Sequence, residues 1–173
     1  MKKKNSNLIQ LFNTVNSLLA NKKTVVSKLA GESDLEELIY IYEKAKEIFE
    51  ELNIDDKLGD IKAVLFKPNM SNAVACCRRL GNGYFQIEFS DKIFNTLNDN
   101  GKLSTMMHEL IHTIDDCFNH GKVFKHYAQM LTNHTGIKVS THDNKEDYDE
   151  TAQRFHTMEN FKYVIQSRPV RDA

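Results

Sequence analysis

The segment from His108 to His112, which reads HELIH, constrains the fold more than any other feature of the sequence. Histidines four residues apart lie one above the other on an α-helix, so both imidazoles can face the same metal ion. The two intervening apolar residues, Leu110 and Ile111, then point the other way and anchor the helix. The residues around the segment are also apolar at helical spacing: Leu103, Met106, Met107 and Ile114. The pattern predicts a central, buried helix over about residues 103–118.

The spacing within this segment is typical of a zinc site that performs hydrolysis. Zn²⁺ binds imidazole nitrogen at about 2.0–2.1 Å and lowers the pKa of a bound water to about 7. Glu109 projects beside the metal and can accept a proton from that water. The three cysteines form no CxxC pair, so histidines are the candidate ligands. The sequence therefore predicts Zn²⁺ held by His108 and His112, with Glu109 as general base.

A catalytic zinc site needs a third protein ligand, and the residues leave two arrangements open. One known class of zinc site has a glycine three residues and a ligand histidine six residues after the second histidine. Asp115 and Phe118 occupy those positions here, which excludes that class. One open arrangement uses a glutamate from a later helix, and three are available: Glu146, Glu150 and Glu159. The other uses His120, because Asn119-His120-Gly121 lies where the long helix is expected to end and glycine can adopt a positive φ.

The rest of the chain predicts an α+β fold. Apolar stripes indicate four further helices, the second of which begins with a Ser33–Glu36 capping box. These helices are expected over residues 6–20, 33–52, 122–133 and 146–160. Three β-rich segments predict a small antiparallel sheet, with strands at residues 61–66, 72–79 and 83–89. Leu80-Gly81-Asn82 is expected to form the hairpin turn between the last two strands, and residues 98–101 are expected to form a loop. The last strand comes shortly before the metal helix, so we expect its edge to bind a peptide backbone.

Charge and apolar content narrow the classes of partner. A net charge of −1 excludes a uniformly basic nucleic-acid-binding protein. Residues 1–30 carry six lysines and no acid, which predicts a separate basic, helical N-terminal segment. No stretch approaches the roughly 18 apolar residues of a spanning helix, which predicts no membrane partner. The first residues lack the apolar run of a signal peptide, and the three cysteines cannot form a disulfide framework. We therefore expect a cytoplasmic location.

Three further motifs resemble those of the SprT-like family of zinc metalloproteases, which includes the Spartan proteases. Together with STMMHELIH at residues 104–112, the sequence has IEFS at 87–90, HGKVF at 120–124 and TGIKV at 135–139, followed by His142. The resemblance covers about residues 35–145. It implies a zincin-like metalloprotease domain over residues 31–145, with zinc held by His108, His112 and His120 and with Glu109 as general base.

One part of the family pattern is missing. SprT-like proteins often end in a four-cysteine zinc ribbon that helps to bind DNA, but no cysteine follows Cys117 here. Residues 146–173 are therefore expected to form a degenerate extension without that ribbon.

The main hypothesis is a zinc-dependent endopeptidase that acts on protein or peptide substrates. Two alternatives stay open: a zinc-containing binding module with little activity, and a protease for DNA-bound or crosslinked proteins. A DNA groove would use four cations: Arg78, Arg79, Lys122 and Lys125.

Overall fold

The computed structural model describes residues 32–142, 144–149 and 171–172. Within these residues, three helices and a small mixed sheet form the predicted α+β fold. The basic segment 1–30, with its predicted helix, and residues 150–160 of the predicted C-terminal helix lie outside the described residues. The predicted start of that C-terminal helix is wrong, because Lys145–Asp147 form a 3₁₀ turn and Tyr148 forms a β-bridge with Leu97. Among the helices that are described, none has the length and apolar character needed to cross a bilayer.

The helices follow the apolar stripes of the sequence, with differences at their ends. They are α1 (Glu32–Glu51), α2 (Asp99–Ile111) and α3 (Lys122–Thr135). α1 already includes Ser33, which was the predicted N-cap. α3 ends as predicted, because Gly136 adopts a positive φ of 72° and donates its N–H to the Thr132 carbonyl.

α2 carries the HELIH segment and is central, as predicted. Its apolar side chains are fully buried: Met106, Met107, Leu110 and Ile111. The helix ends at Ile111, however, rather than near residue 118. Ile114 and Cys117 extend the apolar pattern and are buried, but they lie in a tight turn in which Asp116 adopts a φ of +62°. Burial of these residues in a turn produced the same pattern as a longer helix, so the predicted helix end is wrong.

The sheet is mixed, and the predicted antiparallel sheet is therefore wrong. Its strands, in the spatial order β1-β3-β2-β4, are β1 (Asp60–Lys67), β3 (Tyr84–Ser90), β2 (Ala75–Arg79) and β4 (Arg171–Asp172). β2 and β3 form the predicted antiparallel hairpin, whereas β1 pairs with β3 in parallel. The chain reverses direction twice between β1 and β3, so placing β3 beside β1 makes that pair parallel. Strand periodicity predicts each strand but not its neighbours.

The spatial order of the strands also changes which strand can offer an edge to a peptide: β2 rather than the expected β3. β3 lies between β1 and β2 and has no free edge. Hydrogen bonds from Ser90 N–H to Val74 O and from Leu80 N–H to Tyr84 O direct the even-numbered residues of β2 toward β3. By strand alternation, the backbone groups of the odd-numbered residues 75 and 77 point away from β3. In the described residues β4 pairs with β2 only at positions 78 and 79.

Asn98 joins the start of α2 to residues 146–148. Its side-chain oxygen accepts the N–H of Gly101 at 2.8 Å, which caps the helix. Its side-chain nitrogen donates to the carbonyls of Glu146 at 2.6 Å and Tyr148 at 3.1 Å. The sequence predicted a loop over residues 98–101, but these residues form the cap and first turn. At Gly101 a Cβ would collide with the Asp147 carbonyl, so this contact requires glycine.

We expect Asn98→Ala to lower the free energy of unfolding by about 1–3 kcal/mol, because it removes a helix cap and two further hydrogen bonds. Urea unfolding of the purified variants measures this change. Asn100→Ala alters an exposed residue of the same turn and is the control, with an expected change within about 0.5 kcal/mol. Equal losses in the two variants would show that the Asn98 contacts do not stabilise the fold.

Candidate metal centre

Three histidine side chains converge at the C-terminal end of α2. The Nε2 atom of His108 lies 3.1 Å from that of His112 and 3.1 Å from that of His120, and the last two are 3.2 Å apart. Three nitrogens bound to one zinc-sized ion with tetrahedral angles would be about 3.3–3.4 Å apart. The observed spacing is close to this value, so the three histidines lie close enough to hold one metal ion.

Of the two arrangements that the sequence left open, the described structure brings His120 to the site. Glu146 is exposed in a short 3₁₀ turn, while Glu150 and Glu159 lie outside the described residues. His120 arrives by a different route from the one predicted, because α2 has already ended nine residues earlier, at Ile111. The left-handed residue is Asp116, whereas Gly121 has a φ of −73° and begins α3.

Backbone carbonyls set which ring nitrogen is protonated in two of the three histidines. Nδ1 of His108 lies 2.7 Å from Ser140 O, and Nδ1 of His112 lies 2.7 Å from Cys117 O. Since a carbonyl only accepts hydrogen bonds, each Nδ1 carries the proton and each Nε2 presents a lone pair. Burial lowers the pKa of His108 well below its ordinary value and lowers that of His112 to about 4, so both rings are neutral at pH 7.

These lone pairs define what the cluster can bind. Two neutral imidazoles with lone pairs facing each other at 3.1 Å repel unless a cation lies between them. Metal-binding histidines commonly donate their other ring N–H to a carbonyl, which fixes the ring and its tautomer. Both features are present, so the donor set fits a metal ion better than a structural cluster of histidines.

Phe124 packs against all three imidazoles. Its ring centroid lies 4.7 Å from that of His120, 4.8 Å from His112 and 4.9 Å from His108. The side chain is fully buried in the first turn of α3. The spacing of the HGKVF motif therefore has a structural reason: the turn before α3 carries His120, and the first turn of α3 carries the ring of Phe124 that packs behind the three imidazoles.

Glu109 lies beside this cluster in an unusual environment. It is fully buried, and neither carboxylate oxygen has a hydrogen-bond partner among the described residues. Burial raises the pKa of Glu109 to about 8, and the nearby Cys77 backbone, which does not reach hydrogen-bond geometry, opposes part of the rise. A cavity of about 30 Å³ lies against Glu109 and His108, which is room for one or two water molecules.

Other residues that the sequence raised lie around the site in different roles. Asp115 and Asp116 are exposed, and His108 and His112 donate their Nδ1–H groups to backbone carbonyls rather than to these carboxylates. His142 is exposed and lines the same cavity as Glu109. The carbonyls of Cys117 and Ser140 were missed, because a backbone group leaves no signature in the sequence. Phe124 belongs to the HGKVF motif, but the motif alone did not predict its packing against the histidines.

The chemistry of the centre is inferred from its geometry and motifs, because comparison with known proteins gives neither a matching family model nor a matching curated protein.

Proposed function

We propose that the protein is a zinc-dependent endopeptidase of the SprT-like type, with a zincin-like catalytic domain. The observation that carries this proposal is the carboxylate of Glu109, which is buried beside the three histidines and has no hydrogen-bond partner among the described residues. A structural zinc site uses four protein ligands, whereas a catalytic site uses three and keeps one position open. Burying a carboxylate without hydrogen bonds costs free energy, so its place beside a metal site favours a catalytic role.

The residues divide the work of peptide hydrolysis between them. His108, His112 and His120 would hold the ion. When bound, zinc supplies a Lewis acid for the scissile carbonyl and lowers the pKa of water at its open position to about 7. A nearby dication favours the charged form of a carboxyl group, so Glu109 is ready to accept the proton of the attacking water. Glu109 can then deliver that proton to the leaving amine.

The sheet offers a place for the substrate backbone. Val74 lines the cavity beside Glu109, and the backbone groups of residues 75 and 77 point away from β3 toward the edge of the sheet. A peptide added along this edge would be bound mainly through backbone hydrogen bonds. We therefore expect backbone contacts to supply most of the affinity for a substrate, and propose that β2, rather than β3, positions the scissile bond.

Metal removal tests the proposed function. The purified protein is expected to contain about one zinc per chain and to cleave casein. A chelator followed by desalting should remove both the zinc and the cleavage, and stoichiometric zinc should restore cleavage. The readouts are metal content by mass spectrometry and fragments by gel. Undiminished cleavage by metal-free protein would refute a metallopeptidase, and bound zinc without cleavage of casein or a peptide library would favour the binding module.

The DNA-associated alternative has little support from the contacts of its candidate cations. Arg78 is paired with Glu88, and the guanidinium of Arg79 lies 3.4 Å above the ring of Phe118. Lys122 and Lys125 are exposed at the start of α3. Glu88 offsets part of the charge of Arg78, and the ring of Phe118 covers one face of Arg79. These two cations therefore add less charge to a groove than the sequence suggested, so we place the peptidase ahead of a DNA-directed enzyme.

A further inference from the structure

A second, larger cavity lies on the face of the sheet that points away from α2. Its volume is about 260 Å³. Side chains alternate between the two faces of a strand, which places the buried Ile87 and Phe89 against the helices and Glu88 on the other face. Lys67 and Arg78, which line the cavity, both reach Glu88 on that face.

Glu88 is the centre of a network with more donors than its two oxygens require. Lys67 Nζ lies 2.9 Å from Oε2, Arg78 Nη2 lies 3.2 Å from Oε2, and Gln86 Nε2 lies 2.8 Å from Oε1. Burial alone would raise the pKa of Glu88, but hydrogen bonds from Lys67 and Gln86 and the nearby positive charges outweigh it and lower the pKa. Glu88 is therefore ionised, and one carboxylate faces two cations.

The network leaves positive charge and unused donor groups on two residues that line the cavity. Lys67 has three N–H donors and Arg78 has five, more than the contacts with Glu88 use. The Nε of Arg78 lies 3.2 Å from Oε1 but has no hydrogen bond of good geometry, although it is buried. The described residues that line the cavity add the side-chain amides of Asn69 and Asn72 and contain no acid.

We propose that this cavity binds a small oxyanion, a carboxylate or phosphate group, at a site separate from the metal centre. The spare guanidinium and ammonium donors supply charge-assisted hydrogen bonds, and the two amides add neutral donors. Ala73 and Cys76 line this cavity, while Val74 lines the one beside Glu109. The oxyanion therefore comes either as a free anion or as the acidic side chain of a peptide held at the start of β2. The peptide source rests on the proposed function, whereas the free anion does not.

The test for a free anion places a negative charge in the cavity without altering the Glu88 network. Asn72 is exposed and lines the cavity, so in Asn72→Asp the new carboxylate should occupy the donors and repel the ligand. Asn100→Asp makes the same change at an exposed position of α2 and is the control. Inorganic phosphate is titrated into the zinc-loaded proteins by calorimetry at constant ionic strength. We expect at least tenfold weaker binding in Asn72→Asp only; because phosphate can also contact zinc, the difference between the two variants is the readout.

The test for an acidic side chain uses blocked peptides that differ only in one Glu or Gln. Binding is measured by fluorescence anisotropy in the Glu109→Gln background, which prevents cleavage. We expect the Glu peptide to bind at least tenfold more tightly, and this preference to disappear when Asn72→Asp is added. If Asn72→Asp changes neither phosphate binding nor the Glu preference relative to Asn100→Asp, the oxyanion site is refuted. That result would leave the peptidase proposal intact, since casein cleavage tests it separately.

Discussion

Glu109→Gln is expected to lower the rate of peptide hydrolysis at least about 100-fold while the protein keeps about one zinc per chain. Glutamine has nearly the same size and fits the same buried position, but it cannot accept the proton of the attacking water. The three histidines are unchanged, so the metal site should remain. Initial rates on a fluorogenic peptide, with zinc content measured on the same sample, test both parts of this expectation.

A matched control separates loss of the base from a general effect of removing a carboxylate. Glu50 is exposed on α1, so Glu50→Gln should keep at least half of the wild-type rate. Equal rates for Glu109→Gln and wild type would remove Glu109 from its role as general base. Loss of zinc from Glu109→Gln would instead make this carboxylate a part of metal binding, which its position beside rather than between the histidines does not predict.

Helical geometry explains why much of the centre was predictable from the sequence. The four-residue spacing of His108 and His112 places both on one face of α2, and the buried Leu110 and Ile111 lie on the other side, as predicted. His120 was predicted only as one of two arrangements, because its approach depends on a turn. That turn needs a positive φ at Asp116. Aspartate adopts this conformation more often than most non-glycine residues, but too rarely for a single Asp to predict a turn.

The sheet shows a different limit. The three main strands and the hairpin between β2 and β3 were predicted from alternation and from a glycine-containing turn, and the structure contains them. The parallel pairing of β1 with β3 was not predictable, because pairing depends on where the connection over residues 68–74 leads the chain. This one pairing places β2 rather than β3 at an edge of the sheet, so a prediction of the individual strands was insufficient to locate the proposed peptide-binding edge.

Zinc content is expected to fall from about one per chain to near zero in both His112→Ala and His120→Ala after dialysis against a weak chelator. Removing one of three ligands should weaken binding by more than the roughly 10–100-fold that loss of an outer hydrogen-bond partner causes. His126→Ala is the control, because His126 is exposed on α3 and lies outside the cluster. Its zinc content should match that of the wild type.

The pair of ligand variants also decides between the two arrangements for the third ligand. Zinc retained in His120→Ala but lost in His112→Ala would mean that His120 is a neighbour rather than a ligand. A glutamate from the later part of the chain would then be the better candidate. Loss of zinc from both variants, with circular dichroism showing that each stays folded, would support the three-histidine site. The three Nε2 atoms lie 3.1–3.2 Å apart, and removing either histidine leaves only two of them to hold the ion.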